Sequence, residues 1–217
     1  HTHPRRLGLM PGWRLYLSSR TLPTLLALYL VSVALVLQAH VLVFEISLDN
    51  TKIARFTPVW EAVPVLLAVI APALIAPRLA SWEALAHARL AWRAGLLGAV
   101  TLLAPSTIPW IAHLNLPPDA RWWDISWNVL FLGSLALTAT AVLGRLGGPA
   151  TGLAIYATLI AVQQTAPNAA ASLPFSGAST NLQPHPGPTS AAAVIAIAVW
   201  TVTLGRSRRL RLRERND

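Results

Sequence analysis

Long uncharged apolar runs alternate with short polar segments along this chain, and their lengths predict helices that cross a membrane. Residues 21–44 carry no charge between Arg20 and Glu45, enough chain to cross about 30 Å of hydrocarbon at about 1.5 Å per residue. Comparable apolar runs occupy residues 58–77 (charged only at Glu61), 94–113 and 126–143. From Leu146 to Gly205 there is again no charge, but residues 166–188 are rich in proline, glycine, serine and asparagine. Such a segment cannot stand as a lipid-facing helix, because backbone without regular bonding needs protein or water around it. It divides the stretch into spans over residues 150–165 and 189–204, with an irregular outer segment between them that dips back into the membrane or caps the bundle. The expected fold is an all-α integral membrane protein with a single transmembrane domain of six helices.

The polar positions refine this picture. Trp13, Tyr16 and Leu17 fall at i, i+3 and i+4, with Arg14 on the other side, the pattern of a short amphipathic helix in the headgroup layer. Trp60 and Glu61 stand at the start of span two. Pro64 and Pro72 lie inside that span and Pro105 and Pro109 inside span three, so neighbouring helices must cover the carbonyls that the prolines free. Trp122, Trp123 and Trp127 form an aromatic belt at one interface. The sizeable charged segment in the middle of the chain is the loop at residues 78–93. There Ser81 can cap a helix whose first turn carries Glu83, at the positive end of the dipole. Trp82 and Leu85 would share one face, available to a partner.

Composition and charge orient the bundle. The chain is 54% hydrophobic and 12% charged, against about 25% charged in soluble domains. Of the 17 Lys and Arg, all but Lys52, Arg55 and Arg121 fall on one side of the six crossings. Both termini share that side, which the excess of basic residues assigns to the cytoplasm. Anionic lipid, and not nucleic acid, is the expected counter-charge, with residues 206–217 a solvated basic tail. Residues 7–16 are too short and polar for a signal core, so the first apolar run reads as a retained span. The absence of cysteine excludes disulfides and thiolate chemistry.

The chemistry left to such a chain is narrow. Six spans leave no room for a soluble catalytic domain, and no G-x-x-x-x-G-K-[ST] loop occurs; if ATP and Mg are used, a partner chain binds them. No enzyme activity and no cofactor are expected in this chain. His40, His87, His113 and His185 lack metal-ligand spacing, although His40 and His113 both fall near outer span ends and could meet to hold a haem or metal. Gln38, His40, Asn128, Gln163 and Gln164 are polar groups at span ends, expensive in lipid, and mark a possible substrate path.

Together these features resemble the six-span permease subunit of a bacterial type 2 ABC exporter. Residues 13–20 would match that family's elbow helix, residues 78–93 its coupling helix, and residues 166–188 its broken outer hairpin. High alanine, leucine, arginine and proline with one lysine is similar to proteins of GC-rich actinobacteria. The resemblance implies an ATPase-docking role for Arg78, Ser81, Trp82, Glu83 and Leu85, an ABC ATPase partner, a second permease copy or homologous chain, and an amphipathic, peptide or lipid-like substrate. Two other readings stay open: a structural or assembly subunit of another membrane complex, and a haem- or lipid-handling membrane enzyme.

Overall fold

The apolar runs fold as helices. The computed structural model describes residues 21–46, 55–77, 87–170, 172–175 and 185–203. The elements run α1 (Leu22–Gln38), β1 (Val43–Ile46), β2 (Arg55–Pro58), α2 (Val59–Ile75), α3 (His87–Ser106), α4 (Ile108–Ala112), a 3-10 turn (His113–Asn115), α5 (Trp122–Leu143), α6 (Gly147–Thr165), α7 (Pro167–Ala170) and α8 (Pro186–Thr203). The protein is mostly helical, and three stretches are long and apolar enough to cross a membrane: Ala91–Asn115, Trp122–Leu143 and Pro186–Thr203. α1 and α2 are shorter apolar helices. Val31 of α1 and Val202 of α8 are 61% and 74% exposed, apolar surface that suits lipid better than water.

Several boundaries differ from the sequence expectation for physical reasons. Span one was expected to run through Phe44, but α1 stops at Gln38. There the His40 ring Nδ1 and the Asn115 side-chain amide both bond the Leu37 carbonyl, at 3.1 and 3.5 Å, which satisfies an orphan group of the helix end. Val43 and Phe44 then prefer extended backbone, and β1 pairs antiparallel with β2, Val43 opposite Pro58 and Ile46 opposite Arg55. α3 already includes residues 87–93, expected as loop. The elbow residues Trp13, Arg14, Tyr16 and Leu17 and the docking residues Arg78, Ser81, Trp82, Glu83 and Leu85 lie outside the described residues.

Proline breaks the third apolar segment where expected. Pro109 cannot donate to the Pro105 carbonyl, and the chain turns at Thr107 between α3 and α4. The Ser106 and Thr107 hydroxyls bond the carbonyls of Leu103 and Ala104, at 2.8 and 2.7 Å, and the Thr107 hydroxyl also meets the Tyr29 hydroxyl of α1 at 2.9 Å. In α2, Pro64 and Pro72 are both buried, so neighbours cover the weakened turns.

α5 is the hub. α8, α3, α2 and α6 all pack on it, each touching the next in that order, while α1 lies outside against α2 and α4. Small residues let the backbones approach, the usual means of helix association in lipid. A methyl on Gly152 would meet Val69 of α2 at 2.7 Å and Ala136 of α5 at 3.3 Å; one on Gly133 would meet Ala68 at 3.3 Å. Gly98 of α3 receives the buried indole of Trp200, 3.0 Å from where its Cβ would stand. At the end of α5, Gly144 takes φ 91 and turns the chain into α6, a left-handed conformation that glycine adopts without strain. The buried hydroxyls of Thr101, Ser134 and Thr140 are satisfied within their own helices, on the carbonyls of Leu97, Leu130 and Ala136.

Candidate functional site

Polar groups gather at one end of this apolar bundle, and helix direction explains why. α6 runs antiparallel to α5, since Gly148 faces Thr140 while Gly152 faces Ala136. It also runs antiparallel to α2, because Gly152 faces Val69 while Gln164 reaches Ile46, on the hairpin that leads into α2. α2 and α5 are therefore parallel, and both begin at the end where α6 finishes. Glu61 and Asn128 each lie eight residues toward that end from the Val69–Ala136 layer, about 12 Å at 1.5 Å per residue. Both are completely buried, and both make polar contacts. Thr57, just before α2, is buried too, and its hydroxyl makes no hydrogen bond among the described residues.

Glu61 was expected at the start of span two beside Trp60, and it lies in the first turn of α2, on the stripe Glu61, Val65, Ala68 and Pro72, all buried. That i, i+4, i+7, i+11 spacing is readable in the sequence as a single helix face. A carboxyl inside a membrane helix is costly and commonly marks a pathway or relay. Its place in the first turn of α2 also suits the positive end of the helix dipole.

Above this buried layer opens a cleft of about 490 Å³, formed where the end of α1, the β-hairpin and the α4–α5 connection meet. His40, Trp60, Asn115, Asp119 and Arg121 contribute to its wall, and the rest of the lining is apolar. Arg121 pairs with Asp124 one turn on. Beside it stands a rim of indoles: Trp110 lies 5.0 Å from Trp122 and 5.1 Å from Trp123, and Trp123 lies 5.7 Å from Trp127, each edge to face. The His113 ring packs 4.7 Å from Trp122. The belt residues foreseen from sequence are thus a mutually packed cluster to which α4 adds Trp110. Trp122→Ala is expected to lower stability by about 2 kcal/mol, from lost burial and lost aromatic pairs; denaturant unfolding in mild detergent measures it.

The five expected path residues separate into different roles. Gln164 donates to the Ile46 carbonyl at 2.7 Å and Gln163 to the Phe175 carbonyl at 3.3 Å, so they tie the hairpin and the segment after α7 onto α6. Phe175 is fully buried, its ring 5.9 Å from that of Tyr156. Gln38 is exposed at the end of α1. His40 lines the cleft, and Asn128 is interior. His40 bonds its own helix end and His113 packs on Trp122, and among the described residues no group of three or more His, Asp or Glu could hold a metal ion. The cleft itself was not legible, because its wall joins residues 40–43, 58–60 and 115–121, far apart in the chain.

Comparison with protein-family models, curated proteins and solved structures finds no match to this chain. Its functional reading rests on its own residues.

Proposed function

We propose that this chain is a membrane-embedded permease subunit, of the type 2 ABC exporter kind, that moves an amphipathic substrate with energy from a separate ATPase. The observation that carries the reading is the polar end of an apolar bundle, with Glu61 and Asn128 fully buried at the end where an open cleft lies. Lipid-embedded polar groups are retained at a cost, and passage of a substrate is the common reason.

In this reading α1, α2, α3 with α4, α5, α6 and α8 make six crossings, and the cleft faces outward. Residues 78–86 then lie at the opposite, cytoplasmic end, where an ATPase could dock. The interruption between α6 and α8, begun by α7 and the turn at residues 172–175, fits the broken outer hairpin of such permeases. α1 buries only Leu25, Ser32 and Val36, leaving an apolar face for lipid or a second permease copy. A motor of this kind works when nucleotide binding biases two arrangements of the spans.

Substitution in the docking loop tests the coupling. Trp82→Ala and Glu83→Ala are expected to leave the helical fold intact and to reduce substrate-stimulated ATP hydrolysis at least tenfold in reconstituted vesicles. Unchanged stimulation in both variants would return residues 78–86 to being a plain connection.

A further inference from the structure

We infer that the cleft recognises the protonated amine of a cationic amphiphile; the inference rests on reading the cleft as the substrate's mouth. The His40 Nδ1 lies 3.1 Å from the Leu37 carbonyl. A carbonyl only accepts, so Nδ1 is the donor to it, and in that tautomer Nε2 is the acceptor nitrogen of the ring. Asp119 lines the same cleft and forms no ion pair among the described residues, whereas the lining's one arginine, Arg121, is already paired with Asp124. The net charge offered to a ligand is therefore negative, and both Nε2 and the carboxylate call for donors. A protonated primary amine supplies N–H donors and positive charge together. Trp60 in the wall adds an aromatic surface of the kind that attracts cations.

The rest of the cleft specifies what the amine is attached to. Val41, Val43, Leu116 and Pro117 line it, and Val41, Leu42, Val43 and Phe44 are all at least half exposed along its hairpin edge. An apolar chain continuing from the amine would lie along this strip. An anionic head would meet Asp119 instead, an arrangement that excludes fatty-acid-like ligands by like-charge repulsion.

The test uses the purified chain in phosphatidylcholine nanodiscs, titrated with octylamine and followed by indole fluorescence, with empty nanodiscs as the blank. Expected is saturable binding that weakens about tenfold in Asp119→Asn, the loss of one charge-assisted contact, and recovers in Asp119→Glu. Octyltrimethylammonium, which has no N–H, should bind several-fold more weakly, and octanoate should not compete. Asp119 is exposed, so the variant should unfold at the same denaturant concentration as the parent protein. If phosphatidylethanolamine in the disc displaces octylamine, the source is a bilayer aminolipid; if it does not, the source is a soluble amine amphiphile. Equal competition by octanoate, or unchanged affinity in Asp119→Asn, overturns the inference. No ATPase is present, so failure here is separable from failure of ATP-driven transport.

Discussion

Gly152→Val is expected to destabilise the bundle by about 3 kcal/mol, more than any surface change. Already the first added carbon would stand 2.7 Å from one Val69 methyl and 3.1 Å from the other. Val69 is wholly buried and α5 closes the third side with Ala136, so no side chain can swing away into space. Overpacking a dense interior costs about 1–3 kcal/mol, and the branched valine sits at the upper end of that range. Removing the obstacle should reverse part of the loss. Val69→Ala in the Gly152→Ala background is expected to restore about 1 kcal/mol beyond additivity, because the two positions share one contact. Denaturant titrations of both single variants and the double variant in the same detergent give the coupling. Strict additivity would place α2 and α6 further apart than described.

Glu61→Gln is expected to have the largest functional effect, at least a tenfold loss of transport with little change in stability. Glutamine keeps the size and the acceptor oxygen of the carboxyl while removing its ability to carry charge. If Glu61 served only to cap the first turn of α2, glutamine would support both fold and activity, since caps contribute about 1 kcal/mol and depend on hydrogen bonding. Glu61→Leu, by contrast, would leave the groups that contact Glu61 unsatisfied in the interior, a loss of about 1–3 kcal/mol. Measured together, the two variants separate a charge-dependent role from a packing role. Full transport in Glu61→Gln would remove this residue from the pathway.

How much of this was readable beforehand depends on the range of the interaction involved. The apolar runs located α2, α5, α6 and α8 to within a few residues and the break after α3 at its prolines, because run length and proline position act locally; the start of α3, among charged residues 87–93, was placed seven residues late. α1 was overextended to Phe44 because Val41 to Phe44 are apolar in either conformation; only the capping of Leu37 by His40 and by the distant Asn115 decides for a hairpin. Trp122, Trp123 and Trp127 were expected as an interfacial belt, yet their packing with Trp110 and His113 depends on the α3–α4 break. Glu61 was placed at the start of span two, where α2 indeed begins, but its burial went unread although its spacing to Val65, Ala68 and Pro72 puts it on the buried stripe. Gln163 and Gln164 were singled out as part of a possible substrate path, whereas the bonds they make are to carbonyls of Phe175 and Ile46, remote or irregular in the chain. Asp119 was given no role and Arg121 only a place in the count of basic residues, since the cleft they line exists solely in three dimensions.

The most direct measurement is affinity purification of the intact chain from its native membrane in mild detergent, followed by vanadate-sensitive ATP hydrolysis in the eluate. Expected is a stoichiometric P-loop ATPase whose hydrolysis vanadate inhibits and Trp82→Ala uncouples from substrate. A folded chain that carries no such ATPase, and an eluate with no vanadate-sensitive hydrolysis, would contradict a permease driven by a separate subunit.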